Sequence, residues 1–283
     1  MKKHGILALL LTAGLAFAAT PSRETLIAHR GESADAPENT LAAYRLAAER
    51  GFGFECDIYL SADKRVFTFH DNTLKRTTGG ASDKRCHEVT WDELQNLDVA
   101  AWGRWKNSRF SPQRPALLEE VLALAQDGRF IYVEVKTGPA IVPHIRQLIE
   151  AQNRATPRNT LFISFNRNTC LELKKQLPDY RVFLLHGAKT SWKKDAPPIT
   201  ADALLAKVRG TAINGVSVSY DPAVVTADFI RAFRDVGLEF HVWTIDSLDL
   251  ALQAFERGAQ TVTTNRAKTL LDQYEARQRS KQP

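Results

Sequence analysis

Cysteine is scarce in this sequence, and the spacings that would give it a structural role are missing. The chain of 283 residues has three cysteines, and none of them forms a CxxC pair or a pattern typical of zinc ligands. An odd number cannot pair completely within one chain, so one disulfide can form and none is required. The sequence therefore gives no sign of a zinc module or a disulfide scaffold. The cysteines are Cys56, Cys86 and Cys170.

Blocks of one charge are also missing. The chain carries 38 Lys and Arg against 32 Asp and Glu, a formal net charge of +6, and the basic residues are spread along it without clusters interleaved with aromatics. This distribution argues against nucleic acid as a partner. A mild positive excess, which falls to +4 if residues 1–18 with Lys2 and Lys3 are removed, suits small anionic substrates.

No apolar run is long enough to span a bilayer stably. The run at residues 6–18 follows the basic start Lys2-Lys3-His4 and ends in Ala16-Phe17-Ala18, a small-x-small cleavage pattern. Together these features predict a secretory signal peptide over residues 1–18. A buried N-terminal helix is the alternative. We expect an exported chain, periplasmic or secreted, with no stable membrane span after the signal is removed.

The remaining chain alternates short apolar runs with segments of helical period. With 44% hydrophobic and 25% charged residues, it has an ordinary globular composition, and we expect one domain over residues 19–283. Eight strand–helix alternations predict an α/β fold, a (β/α)8 TIM barrel. A doubly wound open sheet is the alternative, but His29-Arg30-Gly31 makes a poor glycine-rich first turn. The predicted barrel strands lie at 26–29, 54–60, 130–135, 160–164, 180–185, 215–219, 239–244 and 260–263.

Two segments depart from the alternation. The apolar run at 66–69 returns too soon after the second strand for a helical crossover, which predicts an antiparallel hairpin. Residues 72–115 are polar and irregular and contain Trp91, Trp102 and Trp105. We predict a small insertion between strand 2 and helix 2, whose tryptophans form a core of its own rather than a lid over a lipid-like substrate.

Charged residues collect at the ends of two predicted strands. Strand alternation places Glu55 and Asp57 on one face, and likewise groups Glu134 with Lys136. In a barrel these side chains point into the mouth, where carboxylates repel unless a cation or a proton relieves them. An all-oxygen set selects Mg²⁺ or Ca²⁺ over zinc. The alternative is a salt-bridge set in which Lys136 and Arg30 neutralise the acids.

Two histidines are expected beside these carboxylates. His29 ends the first strand, and the hairpin places His70 opposite the region of Asp57. A lone histidine at a strand end is more often structural, but two of them converging on a carboxylate cluster indicate function. Such a pair suits general acid–base phosphoryl chemistry, in which one group takes a proton and the other gives one.

At these residues the sequence resembles the glycerophosphodiester phosphodiesterase family. The ordered series of motifs spans nearly the whole chain after residue 18. The resemblance implies a TIM barrel with an inserted segment after the second strand. It rests on His29-Arg30-Gly31, Pro37-Glu38-Asn39-Thr40, Glu55-x-Asp57, His70-Asp71 with Leu74, Arg76 and Thr77, Glu134-x-Lys136, and Val242-Trp243-Thr244.

The resemblance also implies a reaction and a set of roles. The reaction is metal-dependent hydrolysis of glycerophosphodiesters to sn-glycerol 3-phosphate and an alcohol, with one divalent cation, Mg²⁺ or Ca²⁺. His29 and His70 are implied as the acid–base pair. The implied metal ligands are Glu55, Asp57 and Glu134. Phosphate contacts are implied for Arg30 and Lys136, an apolar wall for Trp243, and an orienting role for Glu38.

The last strand departs from the family pattern. Thr264-Asn265-Arg266-Ala267 stands where the family commonly has Thr-Asp-x-Pro, and Ala259-Gln260 where it has Asp-Gly, which puts the final loop in doubt. Two other functions stay open: a lysophospholipase D-like enzyme with the tryptophan-bearing insertion as an apolar wall, and a non-catalytic phosphate- or sugar-binding protein. The sequence leaves the oligomeric state open.

Other polar residues near the predicted mouth have simpler interpretations. His241 shares a face with Trp243, and core packing is favoured for it. His186 ends the fifth strand, and a substrate role is disfavoured. The lysines that follow it, Lys189, Lys193 and Lys194, are predicted to form a solvated loop rather than an anion clamp.

Overall fold

Eight parallel strands close into a barrel in the computed structural model of the protein, which describes residues 19–281. The predicted signal peptide lies outside the described residues. The first and second strands pair with each other and so close the ring, which confirms the (β/α)8 prediction over the open sheet. The barrel strands are β1 (Leu26–Ala28), β2 (Gly53–Leu60), β4 (Ile131–Val135), β5 (Thr160–Ser164), β6 (Arg181–His186), β7 (Gly215–Ser219), β8 (Glu239–Trp243) and β9 (Thr261–Thr264), with β3 (Val66–Thr68) outside the ring.

Helices surround the barrel. Several begin directly after a threonine whose hydroxyl accepts a backbone N–H of the first turn, at Thr40, Thr200 and Thr226; this bond satisfies a donor that the helix itself cannot. No helix in the described range 19–281 combines the length and apolar character needed to cross a bilayer. The helices are α1 (Leu41–Glu49), α2 (Trp91–Leu94), α3 (Leu118–Leu122), α4 (Val142–Glu150), α5 (Arg167–Gln176), α6 (Ala201–Val208), α7 (Ala227–Arg234), α8 (Leu248–Glu256) and α9 (Ala267–Arg279).

Strand alternation separates two apolar layers. Cys56 and Val133 point outward and pack under the helices in the large core. Ile27, Tyr132 and Phe183 point inward and fill the barrel with neighbours from β5 and β6. Because the interior is a packed core, it holds the polar side chains of the upper layer in fixed positions.

The hairpin and the insertion form a separate small core. β3 pairs antiparallel with β2, with Phe67 opposite Tyr59. Phe67 and Phe69 pack with residues of the following segment, Trp91 and Leu94 among them. The insertion's other tryptophans have neighbours of their own, since Trp105 stacks edge-on against Phe110 and the Arg76 guanidinium lies 4.9 Å from the Trp102 ring. Trp91 thus belongs to the small core of the insertion, whereas Trp102 and Trp105 pack outside it.

The loop after β1 depends on one glycine. Gly31 has φ +80°, and a Cβ there would lie 2.6 Å from the backbone carbon of Ala43 in α1, closer than real Cβ contacts. Only glycine allows both the left-handed turn and the close approach of this loop to α1.

We therefore predict that Gly31→Ala destabilises the protein by about 1–3 kcal/mol more than Gly80→Ala, because overpacking adds to backbone strain. Gly80 is the matched control, since it also has positive φ (+89°) but open space at its Cβ position. Urea denaturation of the two variants measures the difference. Equal destabilisation would show that the contact with Ala43 is relieved without cost.

Candidate active site

Three carboxylates meet on the inward faces of β2 and β4. The two strands are neighbours in register, with Asp57 beside Glu134, and Glu55 precedes Asp57 on the same inward face. One oxygen from each of the three lies within 4.8 Å of the others. Glu55 and Asp57 are only 3% and 1% exposed, so water cannot screen their mutual repulsion.

Two cations offset part of this negative charge. The Lys136 Nζ lies 2.8 Å from Glu134 Oε1 and 3.3 Å from Asp57 Oδ1. The Arg30 Nε lies 3.4 Å from Asp57 Oδ2. The predicted salt-bridge set is therefore present but incomplete, because two cations face three carboxylates. Glu55 Oε1 is buried and has no hydrogen-bond partner among residues 19–281.

The pKa values show where the uncompensated charge lies. Burial, then the charges of Asp57 and Glu134, raise the pKa of Glu55 well above its usual range. Burial and Asp57 raise the pKa of Glu134 to about 7. Burial acts in the same direction on Asp57, but Lys136 and Arg30 outweigh it and hold the pKa of that carboxyl below its usual range. Asp57 is thus the compensated member of the three.

These residues fit a hard divalent cation. The donor set consists of oxygens only, which Mg²⁺ and Ca²⁺ prefer. The unpartnered Glu55 oxygen and the excess negative charge would both be satisfied by a cation at this point. The predicted ligands Glu55, Asp57 and Glu134 therefore lie together in space. Their oxygens suit Mg²⁺ and Ca²⁺ alike.

Asn39 supports the cluster in a way that sequence reasoning missed. Its Nδ2 donates to Asp57 Oδ2 at 2.8 Å, and its Oδ1 accepts from the Asp57 backbone N–H and from the Tyr44 hydroxyl. Asn39 and Thr40 are both residue types that commonly cap helices. Thr40 caps α1, which leaves Asn39, with φ 55°, free to turn its amide toward β2.

His29 is held by the segment that departs from the family pattern. Its Nδ1 lies 2.7 Å from Asn265 Oδ1. The orientation of that amide is fixed because Asn265 Nδ2 donates to Asp246 Oδ2 at 2.7 Å, so the His29 Nδ1 must be the donor. The other ring nitrogen, Nε2, lies 3.9 Å from Glu55 Oε2. Burial and the Arg30 charge lower the pKa of His29 to about 4, which favours the neutral imidazole.

His70 belongs to a chain of ion pairs. Its Nδ1 lies 2.7 Å from Asp71 Oδ1, and Asp71 Oδ2 accepts from Arg76 Nε at 2.7 Å. Arg76 and Arg30 both donate to Glu38 Oε1, each at 2.7 Å. Glu38 thus orients two arginines and links the loop of His29 to the loop of His70. It does not line the cavity, so its contacts fit the orienting role that was expected.

A cavity of about 520 Å³ joins these groups. His29, His70, Arg30 and Lys136 line its polar side, and Asp57 lies just beneath. Trp243 also lines it, with a buried indole N–H that has no hydrogen-bond partner in the described part of the chain. The insertion's tryptophans are not among the lining residues. The apolar side consists of Ile163, Phe165, Leu185, Trp192 and Trp243.

His241 lies at the inner end of this cavity and is a core residue, as favoured from the sequence. Its ring packs 4.8 Å from the Tyr132 ring, and both nitrogens meet threonine hydroxyls, Thr261 at 2.6 Å and Thr263 at 2.8 Å. Burial lowers its pKa to about 3. Phe165, Trp192 and Ser217, in contrast, line the cavity without having been identified in the sequence.

Comparison with known proteins decides the family. Residues 29–269 match the model of the glycerophosphoryl diester phosphodiesterase family. The chain belongs to this family. The resemblance drawn from the motifs is confirmed, and with it the prediction that the chain is an enzyme of this class.

Relatives match either most of the chain or a part of it. A glycerophosphodiester phosphodiesterase of Caldanaerobacter subterraneus is 28% identical over 255 residues, 87% of this chain and 96% of that protein. Human glycerophosphodiester phosphodiesterase 1 is 41% identical over 115 residues, 40% of this chain and 34% of that protein. A phosphodiesterase of Oleispira antarctica, solved with the product sn-glycerol-3-phosphate, has a TM-score of 0.74 at 24% identity and covers 89% of this chain and 96% of its own. That likeness shows the shared fold.

The Asn39 contacts give a prediction for stability. Asn39→Ala removes three hydrogen bonds around Asp57 and leaves a buried carboxylate short of a donor, so we expect a loss of about 2–4 kcal/mol in unfolding free energy. Tyr44→Phe removes only the hydroxyl that donates to Asn39, and should cost about 1 kcal/mol. Urea denaturation measures both. A loss of under 1 kcal/mol for Asn39→Ala would contradict its proposed support of Asp57.

Proposed function

We propose that the protein is a metal-dependent glycerophosphodiester phosphodiesterase that uses two histidines and releases sn-glycerol 3-phosphate and an alcohol. One observation carries this proposal: both histidines, Arg30 and Lys136 line one cavity together with Glu55 and Glu134, two members of the three-carboxylate cluster. A phosphodiester bound there would face two cations and two imidazoles at once. These are the groups that phosphoryl transfer requires.

The divalent cation would be held by Glu55, Asp57 and Glu134. When bound, it would offset the charge of the phosphate and polarise a phosphoryl oxygen. Lys136 and Arg30 sit beside the carboxylates with side chains that line the cavity. They would contact the non-bridging oxygens of the phosphate, as expected from the sequence.

The surroundings of the histidines support different roles for them. His29 presents an unprotonated Nε2 to the cavity, since its Nδ1–H is committed to Asn265, and this nitrogen would take the proton of the substrate's glycerol 2-hydroxyl. His70 contacts Asp71 through its Nδ1 at 2.7 Å, which leaves its Nε2 as the nitrogen that would protonate the leaving alcohol. Attack by the 2-hydroxyl oxygen would form a cyclic phosphate, which water then opens.

The lysophospholipase D-like function is the second candidate. It is favoured by the apolar side of the cavity, where Phe165, Trp192 and Trp243 could contact an acyl chain. In such an enzyme these three residues, and not the tryptophans of the insertion, would form the apolar wall. A non-catalytic binding protein is disfavoured by membership of an enzyme family. Export to a periplasm or out of the cell remains a proposal based on residues 1–18.

Removing either histidine tests the acid–base assignment. His29→Ala and His70→Ala should each lower turnover of glycerophosphocholine by about 10²–10⁴-fold, the range typical of general acid–base groups. His87→Ala is the control, because His87 is exposed on the insertion and should keep wild-type turnover. Release of glycerol 3-phosphate is the measurement. Losses below about tenfold in both active-site variants would rule out the two-histidine mechanism.

Metal removal tests the carboxylate site by two measurements, turnover and thermal stability. In EDTA we expect loss of glycerophosphocholine hydrolysis, with recovery on addition of Mg²⁺ or Ca²⁺. The cation should also raise the melting temperature, since a ligand at a hundred times its Kd adds about 2.7 kcal/mol to stability.

Glu55→Gln should abolish that thermal shift. The metal-free variant should be at least as stable as the wild type at neutral pH, because the folded state no longer buries a carboxyl whose pKa it raises well above the usual range. Glu150→Gln is the control, a neutralisation of a glutamate whose side chain is 62% exposed. A thermal shift of wild-type size in Glu55→Gln would show that the cation binds elsewhere.

A further inference from the structure

A second groove adjoins the catalytic cavity. It has a volume of about 200 Å³ and lies between the loops that follow β5 and β6. Phe165, Leu185 and Trp192 line both the groove and the cavity. A molecule bound at the catalytic groups could therefore extend into the groove along these shared side chains.

The groove is basic. Arg167, Lys189 and Lys207 all line it. In the described part of the chain, no carboxylate oxygen lies within 4 Å of the side-chain nitrogens of these three residues, since none of them takes part in an ion pair. Three positive charges thus border a small concave space without a carboxylate partner.

Hydrogen bonds tether two of these side chains in place. The Arg167 Nε donates to the Lys207 carbonyl oxygen at 2.7 Å, which ties the start of α5 to α6. The Lys189 Nζ donates to the Lys194 carbonyl oxygen at 2.8 Å within its own loop. Each bond uses one of several N–H groups, so both side chains retain donors for an anion.

Aromatic rings form the passage between the two spaces. The Phe165 ring packs edge-on against Trp243 at 5.7 Å and lies 5.8 Å from the Trp192 ring. Trp243 belongs to the catalytic cavity and Trp192 to both spaces. The leaving alcohol of a bound phosphodiester would run past these rings. A negatively charged group at its far end would meet the three cations, whereas an ammonium group would be repelled by them.

We propose that this groove is a subsite for an anionic group, such as a second phosphate, on the leaving alcohol of the substrate. The inference rests on the proposed function and adds a substrate class to it. It also divides the lysines that the sequence placed together in a solvated loop. Lys189 lines the groove, whereas Lys193 and Lys194 do not.

Two substrates that differ in the leaving alcohol test the subsite. In bis(glycerophospho)glycerol the alcohol carries a second phosphate, and in glycerophosphocholine it carries a quaternary ammonium. We expect the wild-type kcat/KM to be about tenfold or more higher for the first. The double variant Lys189→Gln/Lys207→Gln should bring the ratio of the two values close to one, because it removes two of the three charges that favour the anion.

Lys193→Gln/Lys194→Gln is the matched control. It removes the same net charge from the same region without altering a residue that lines the groove. We expect the ratio of kcat/KM values in this variant to stay at its wild-type value. An equal fall in both double variants would show a general effect of net charge and overturn the subsite. A wild type that prefers neither substrate, or prefers glycerophosphocholine, would overturn it too.

A binding measurement tests the subsite separately from the proposed function. If the folded, metal-loaded protein hydrolyses neither substrate, binding of glycerophosphoglycerol, the leaving alcohol itself, is measured by calorimetry. Weakening by about tenfold or more in Lys189→Gln/Lys207→Gln, but not in the control, would sustain the subsite without turnover. No binding, or equal binding by both variants, would overturn it.

A lipid headgroup could supply the same anionic chemistry. Sedimentation with phosphatidylglycerol vesicles separates the two sources. If the groove is a substrate subsite, the two double variants should bind these vesicles equally well. Loss of vesicle binding in both variants, together with an unchanged substrate ratio, would identify the lysines as a membrane-facing patch and overturn the proposal.

Discussion

The burial of three carboxylates at one end of the barrel is the constraint on which the rest of the site depends. Glu55, Asp57 and Glu134 are brought together by the register of two neighbouring strands, and the folded chain cannot move them apart without breaking the barrel. Their repulsion must be met locally. The charges of Lys136 and Arg30 offset part of the repulsion, and the hydrogen bonds of Asn39 stabilise Asp57. The repulsion that remains favours binding of a cation.

The contacts that offset this negative charge also fix the loops around it. Arg30 reaches Asp57 from a backbone with φ 57°, a conformation that costs energy and is held by its neighbours. Its own N–H donates to Glu55 Oε2 at 2.9 Å, so one residue contacts two of the carboxylates. Glu38 then positions Arg30 and Arg76 together. Through these contacts the charge at the barrel mouth is tied to the placement of both histidine loops.

Much of this arrangement could be predicted from short-range patterns. A period of two puts Glu55 and Asp57 on one face whatever the tertiary fold, and a five-residue gap forces β3 back along β2. Eight strand–helix units then suffice to place the strand ends at one mouth. For these reasons the barrel and the cluster of charged residues followed from the sequence.

The remaining contacts depend on loop geometry that no local pattern encodes. Asn39 looks like a helix cap, and only the turn before α1 shows that its amide faces Asp57. His29 and Asn265 are separated by 236 residues, so the role of the altered last loop could not be read from its composition. Phe165 and Trp192 come from different loops, and each alone resembles an ordinary surface aromatic.

Asn265 stands where the family commonly has an aspartate, and this difference has an electrostatic explanation. A carboxylate there would also hold the His29 ring, but it would add negative charge beside a cluster that already has too much, and it would stabilise the imidazolium. The Asn265 amide gives the same orientation through its oxygen and carries no charge. Asp246 fixes the position of Asn265 by accepting a hydrogen bond from its Nδ2. The negative charge is therefore one hydrogen bond further from the His29 ring than a carboxylate at residue 265 would be. The imidazole is thereby kept oriented and neutral, which the proposed role of its Nε2 as proton acceptor requires.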